Sequence, residues 1–467
     1  MKKQVFALAT LALVIQVTPL AAQKKGGIST DMLREIKSSY QGSAADKAVR
    51  NAVMKNGMKA LAVNGERTQS LDDNFSHRVK SKGITNQESS GRCWLFTGLN
   101  VMRAPIIEQY GLGSFYFSHN YSFFYDQLEK ANLFLQAIID TKDLSIDDNE
   151  VAWLFKNPIG DGGQFTGISD NILKYGLVPK SIMPETLNSN NTAQLNHILS
   201  RILRQGGIRI RKAAADKASI RTLEKQKVDI LKQVYRVLVF NLGEPPTEFE
   251  FTMKDAAGKT LSTDKYTPLS FYQKFVGKDL KNDFIMVMND PSRPYHRLYS
   301  IKYDRHSYDG KNWTYVNLPI EELKELAIAS LKDSTMLYYS CDVGKSLDPK
   351  TGNLDLNLYD YESLLGIKFD MDKKERIETY DSGSTHAMTL VAVDLDGNGK
   401  PRKWMVENSW GADSGAAGHL IMTDDWFDAY TFRIVVDRKY ATDKVLKILE
   451  SKPILLPPWD PMFAPER

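Results

Sequence analysis

Only two cysteines, Cys93 and Cys341, occur in 467 residues. That excludes a disulfide-braced scaffold and a cysteine-rich metal module. The 7 histidines show no metal-ligand spacing, so neither a metal nor another cofactor is expected. Charge of either sign is not in excess: 61 basic against 57 acidic residues give a net charge of +4. A balance so near neutral gives no field for gathering a polyanion or an anionic lipid surface, and nucleic acid is not expected as a partner. Beyond the N-terminus no apolar run approaches the ~20 residues of a membrane span, so a soluble chain without a membrane partner is expected. Repeats and low-complexity segments are missing too.

The N-terminus is the one place where a long apolar run does occur. Lys2 and Lys3 precede an apolar stretch from Val5 to Val17, and Thr18-Pro19-Leu20-Ala21-Ala22 closes it with small residues. This is the three-part layout of a secretory signal peptide, with cleavage after Ala22. Its removal takes away Lys2 and Lys3 and leaves a charge of +2. No cysteine follows the cleavage point to carry a lipid. The short leader points to a bacterium, and hence to export into the periplasm or secretion.

The chemistry is concentrated in three short segments. In Asn86-Gln87-Glu88-Ser89-Ser90-Gly91-Arg92-Cys93-Trp94-Leu95-Phe96 a thiol follows a side-chain amide just where an apolar helical pattern begins. Ser89, Ser90 and Gly91 supply cap and turn chemistry in front of that helix. Unpaired N–H groups and the positive end of the helix dipole favour a thiolate at Cys93, the form that attacks carbonyls. Gln87 is placed to reach back, so that its amide and the Cys93 N–H together hold an oxyanion. Far along the chain, Thr385-His386-Ala387-Met388 opens a predicted strand, and Trp404-Met405-Val406-Glu407-Asn408-Ser409-Trp410-Gly411 closes another. Pairing of these strands sets Asn408 beside His386, fixing its tautomer and leaving one nitrogen for Cys93, with Trp410 as a cover. Between them Asp394-Leu395-Asp396-Gly397-Asn398-Gly399 resembles the start of a calcium loop, but its twelfth position is Met405. A tight hairpin is expected there instead. Cys341 reads as a buried strand residue, and a bridge to Cys93 is not expected.

Gln87, the Ser-Gly-Arg-Cys93-Trp run, His386-Ala-Met and Asn408-Ser-Trp-Gly together resemble the papain superfamily. His386 follows Cys93 by 293 positions, about twice the ~130–150 usual for papain-like enzymes, so a long insertion separates the two halves. Ser90 also stands where such enzymes usually carry a disulfide cysteine. Leu99-Asn-Val-Met-Arg103, Asp161-Gly-Gly-Gln164, Tyr175-Gly-Leu-Val-Pro-Lys180, Cys341-Asp-Val-Gly-Lys345 and Leu456-Pro-Pro-Trp-Asp-Pro-Met462 narrow the resemblance to the bleomycin hydrolase and aminopeptidase C family. The resemblance implies an α+β papain-like fold, with a helical left half, a β-rich right half, a large mainly helical insertion and a C-terminal arm. It further implies a homo-hexameric ring around a chamber, with the arm in the cleft limiting cleavage to amino-terminal residues of peptide substrates. Gly162 and Gly163 are then expected beside the substrate backbone, and the chain terminus at Arg467 near its amino group. Prolines at 453, 457, 458, 461 and 465 favour an extended tail, and Leu455, Leu456, Trp459, Met462 and Phe463 are too apolar for a free one.

The expected organisation is a signal peptide at 1–22 and an N-terminal arm at 23–80, with a helix near Thr30 to Tyr40. The helical half follows at 81–189 and the insertion, helical then mixed, at 190–340. The β-rich half occupies 341–450 and the arm 451–467. Within the insertion the spacing of Ile220, Leu223, Ile230, Leu231, Val234 and Leu238 predicts one long amphipathic helix from Ala213 to Val239. The function read from these residues is a cysteine-type aminopeptidase acting through a Cys93 thioester, with His386, Asn408 and Gln87 completing the site. An endopeptidase is the alternative if the arm leaves the cleft open; a non-catalytic chamber or nucleic-acid-binding protein is the reading from another class. Outside the cytosol such a thiol is open to oxidation, so activity is expected to depend on reductant.

Overall fold

The computed structural model describes residues 26–67, 69, 71–80 and 82–463. The leader expected at 1–22 and the terminal Arg467 lie outside the described residues. Two compact units are present, one ending at Ala62 and the other beginning at Val63. The first carries helices α1 (Thr30–Ser39), α2 (Ala44–Val53) and α3 (Met58–Leu61). Ser29 accepts the Met32 N–H, and Ser43 with Asp46 forms a capping box. Those caps satisfy amide groups that a helix start otherwise leaves open. No residue of α1 or α2 is buried.

The second unit begins with β1 (His77–Arg78) and continues as helices α4 (Cys93–Gln109), α5 (His119–Asp140), α6 (Asn149–Lys156) and α7 (Phe165–Tyr175). The short α8 (Leu187–Asn190) leads into α9 (Ala193–Ala215) and α10 (Ile220–Leu242). The single helix predicted from Ala213 to Val239 is therefore two helices. Lys217 turns the chain at φ +60° and Ser219 caps α10 by accepting the Thr222 N–H. Alanine and lysine around the break favour helix on either side, and only one serine marks the new start, so apolar spacing alone runs through it. Leu199, Leu203, Leu223, Val234 and Leu238 bury the contact between α9, α10 and α5. Gly206 allows it, because a Cβ there would sit 2.7 Å from Ile230 Cδ1.

A separate hairpin, β2 (Phe249–Lys254) with β3 (Thr260–Tyr266), precedes the main sheet. The sheet strands are β4 (Phe284–Met288), β5 (Arg297–Ile301), β6 (Thr314–Asn317), β7 (Leu337–Cys341), β8 (Leu347–Asp348) and β9 (Asn353–Leu354). They continue as β10 (His386–Leu395), β11 (Pro401–Glu407), β12 (His419–Thr423), β13 (Thr431–Asp437) and β14 (Ile454–Leu456). Their order is β14-β5-β6-β4-β13-β7-β10-β11-β12-β9-β8, with β1 also on β10. Residues 71–80 thus run beside the sheet that carries the site.

Strand β10 is central. His386 pairs with Cys341 on β7, and Thr389 pairs with Glu407 on β11. Its run is apolar without alternation because both faces are covered. Ala387 and Tyr338 belong to the core shared with the helices, whereas Met388, Tyr339 and Cys341 belong to a second core on the opposite face. Of the Asp394–Gly399 segment, Asp394 and Leu395 end β10 and the rest is the β10–β11 turn, where the Asp396 carboxylate accepts the N–H groups of Asn398 (2.8 Å) and Lys400 (2.9 Å).

Helix α4 lies against β10 and is fastened to β11 by one buried ion pair. Arg103 Nη2 sits 3.0 Å from Glu407 Oε1, with side-chain exposures of 3% and 0%. The guanidinium also donates to Asn100 Oδ1 (2.8 Å) and to the carbonyls of Lys82 (2.7 Å) and Gly83 (2.6 Å), so its hydrogens have partners. At the other end of the unit the chain tail is anchored to the sheet. β14 pairs with β5, Asp460 forms an ion pair with Arg293, and Met462 is buried.

Arg103→Met strands the Glu407 charge in the core and is expected to cost ~3–5 kcal/mol of stability, the scale for breaking a buried pair. Urea unfolding measures this; the double variant Arg103→Met/Glu407→Leu, which leaves no charge behind, should recover much of the loss.

Candidate active site

Cys93 is the first residue of α4 and half-buried, preceded by Arg92 at the N-cap with no side-chain cap on the helix. The expectation that Ser89 and Ser90 cap this helix gives way to a different arrangement. Ser90 Oγ donates to the Gln87 carbonyl (2.6 Å) and accepts from Arg92 Nε (3.0 Å), so it shapes the loop. No serine side chain therefore closes off the helix start. Asp161 holds the loop from the other side: its carboxylate accepts the Gly91 N–H at 2.6 Å, and its carbonyl accepts the Trp94 indole N–H at 2.7 Å. The Thr192 hydroxyl donates to that same carboxylate, and the Ser89 N–H donates to the Asn190 carbonyl at 2.9 Å. Residues leading into α9 thus grip the segment that presents the thiol. Arg92 is fully buried, 2.8 Å from Glu185 and between the rings of Phe96 and Phe123 at 5.2 and 5.3 Å.

Across from this loop, β10 opens with His386 and β11 delivers Asn408. His386 Nε2 lies 2.8 Å from Asn408 Oδ1, which also accepts the Ser409 N–H at 2.8 Å. Two donors on one oxygen fix the amide, so Nε2 carries a hydrogen and Nδ1 is the basic nitrogen. The Trp410 ring lies 4.9 Å from the imidazole and tilted by 31°, shielding that bond. Gln87 joins the two sides: its Oε1 accepts from Ser409 Oγ at 2.7 Å, and its Nε2 donates to the Ser90 carbonyl at 2.5 Å. One Nε2 hydrogen is used in that bond; the amide carries a second.

Burial pushes the His386 imidazole down from an ordinary 6.5 to about 4, and the Asn408 hydrogen bond opposes the shift only in part. A lone imidazolium is therefore disfavoured here. An imidazolium at neutral pH would need a negative charge beside it to offset that burial. Cys93 lies near β7, where its charge adds to burial in pushing the Tyr338 hydroxyl and the Cys341 thiol upward. Cys341 itself is fully buried in the opposite core, and neither cysteine is in a disulfide.

The remaining expected site residues divide. A Cβ on Gly162 would meet nothing within 4 Å, so its Cα borders open space, and its carbonyl accepts from Lys130 Nζ at 2.6 Å. Gly163 is packed instead: a Cβ there would lie 2.2 Å from His306 and 2.8 Å from Trp94. Arg467 is outside the described residues. Behind the glycines stands a cluster that apolar patterning does not reveal. Asp126 is fully buried, 2.5 Å from His306 Nδ1 and 2.8 Å from Lys130 Nζ, and Lys130 lies 5.2 Å from the Trp94 ring centre. The i,i+4 spacing of Asp126 and Lys130 is the only trace of it in the sequence. Among the described residues no group of histidine, cysteine or carboxylate side chains is arranged to hold a metal ion.

A thiol at an uncapped helix start and an imidazole held by an asparagine are the parts of a cysteine peptidase site. The family model described as Peptidase C1-like family matches residues 27–463. The chain belongs to that family. It is 36% identical to Aminopeptidase C of Lactobacillus delbrueckii subsp. lactis over 442 residues, 94% of this chain and 98% of that protein. It is 40% identical to human Bleomycin hydrolase over 402 residues, 84% of this chain and 88% of that protein. A crystal structure of PepW from Lactobacillus rhamnosis superposes with a TM-score of 0.90 at 38% identity, covering 94% of this chain and 99% of that one. The protein is thus a cysteine peptidase of papain-like fold, as its motifs imply.

The His386 environment generates a pH prediction. The unfolded chain takes up this proton near 6.5 and the folded site near 4, so folding is fully supported above about 6.5 and weakens as pH falls toward 4. In Cys93→Ala, where no thiolate can hold the proton, an NMR titration of His386 should give a midpoint near 4. A midpoint at or above the ordinary histidine value would contradict the burial account.

Proposed function

We propose that the protein is an exported cysteine aminopeptidase that removes residues from the amino termini of peptides. The Cys93 thiolate attacks the peptide carbonyl, and the proton it has lost resides on His386 Nδ1. The oxyanion is held by the Cys93 N–H and the second hydrogen of Gln87 Nε2, groups whose loss from such sites costs about 10²–10³ in rate. His386 then protonates the departing amine, and water, giving a proton back to His386, hydrolyses the thioester. Asn408 keeps the imidazole in the tautomer that this sequence of steps requires.

Amino-terminal cutting, rather than internal cutting, is supported chiefly by the place where the described tail ends. Met462 and Phe463 lie on Arg433, which also holds Gln164, the neighbour of Gly163. The described tail thus ends beside the loop expected to carry the substrate backbone. The names of the relatives support the same reading. Export rests on the leader at residues 1–22, and a hexameric assembly on the family likeness alone.

Reduced mature protein should shorten an unblocked peptide one residue at a time from its amino end and leave the N-acetylated twin intact, with Cys93→Ala inert towards both. Internal cuts in both peptides would replace the aminopeptidase with an endopeptidase. Light scattering of the same sample tests the assembly, a monomer being the result that removes the hexamer.

A further inference from the structure

Arg433, on β13, stands at the junction between the tail and the substrate loop. Its Nη2 donates to the Met462 carbonyl at 3.0 Å and its Nη1 donates to Gln164 Oε1 at 3.1 Å. The guanidinium carbon lies 4.6 Å from the Phe463 ring centre and 5.6 Å from that of Trp313. Gln164 in turn donates from Nε2 to the Asp304 carboxylate. Gln164 is the N-cap of α7 and directly follows Gly163, so both ends of its amide are fixed by charged groups. Phe463 also stacks at 6.0 Å on Tyr315. The tail upstream has its own anchors, β14 on β5 and Asp460 on Arg293. Arg433 therefore holds the tail at Met462 and Phe463, beyond those anchors.

We propose that Arg433 is the residue that sets where this enzyme cuts: it latches Met462 and Phe463 to Gln164, so that the described end of the tail is held beside the glycine loop. The inference rests on the reading of the tail as the cleft's stop. A planar guanidinium suits the task because two of its N–H groups serve two acceptors at once, one on the arm and one on the loop, while its face meets an aromatic ring. A lysine ammonium supplies the charge without that fork. The latch also ties the two partners through one guanidinium: loss of Arg433 removes the hydrogen bond to Gln164 Oε1 and the one to the Met462 carbonyl together.

The test compares cleavage of an unblocked peptide and its N-acetylated twin by the full chain, by Arg433→Met, by Arg433→Lys and by a chain ending at Asp460. Arg433→Met should raise the blocked-to-unblocked ratio by about tenfold or more, the scale of losing one hydrogen bond to a charged group. The chain ending at Asp460 should do the same, and Arg433→Lys should fall between wild type and Arg433→Met. A destabilised but latched enzyme would lose both activities together and keep the ratio. Should Arg433→Met fail to fold with Asp304 left unopposed, Arg433→Met/Asp304→Asn buries no charge and gives the same reading. If the shortened chain cuts the blocked peptide while the folded Arg433 variants keep the wild-type ratio, the arm is the stop and Arg433 is not its latch. If the shortened chain also spares the blocked peptide, the tail is no stop at all, and the inference falls with that reading.

Discussion

The ion pair between Arg103 and Glu407 is the constraint on which the site depends, because it joins segments 304 positions apart and almost without water. A pair so buried adds little net stability compared with a well-packed apolar contact, but it is very costly to break. It acts as a register pin. Arg103 lies in the helix that begins at Cys93, and Glu407 is the last residue of β11 before Asn408. A slip of either element against the other would strand a charge and would move the thiol relative to the imidazole. Gln87 repeats the linkage closer to the chemistry, touching Ser90 on the helix side and Ser409 on the sheet side.

The loop before the thiol draws its shape from distant parts of the chain. Asp161, Thr192, Asn190 and Glu185 all lie well downstream, yet each hydrogen-bonds a residue between Ser89 and Trp94 or another of these anchors. The stretch inserted between the two halves of the site is consequently a structural part of it. With those groups carrying the loop, the first turn of α4 needs no side-chain cap of its own. Its open N–H groups and the dipole behind them favour negative charge at the thiol and on an oxyanion formed beside it.

How much of this was legible depended on whether a residue's role is declared by its neighbours in sequence. Cys93, His386 and Asn408 were legible because each stands at the end of an element that apolar patterning marks. The hairpin at Asp396 was legible from its turn residues. The break at Lys217 was not, since composition favours helix on both sides, and neither was the use of Ser90, which builds the loop and leaves the helix uncapped. Asp126, His306, Lys130 and Arg433 carry no local signal: an aspartate and a lysine four apart usually form a solvated pair, and here they are packed behind Trp94. Gly163 shows the difference most sharply. Its sequence context suggests room for a substrate, while its surroundings are His306 and Trp94, leaving the open side to Gly162.

The proposed activity requires that the imidazole held by Asn408 makes a nucleophile of the thiol at the start of α4. The most direct measurement is the pH dependence of Cys93 alkylation by iodoacetamide in the folded, reduced protein, followed by mass spectrometry in wild type and in His386→Ala. The expected result is rapid labelling of Cys93 alone that persists well below the ~8.5 of an ordinary thiol and is largely lost in the variant. Equal labelling rates with and without His386, rising only as an ordinary thiol ionises, would contradict it.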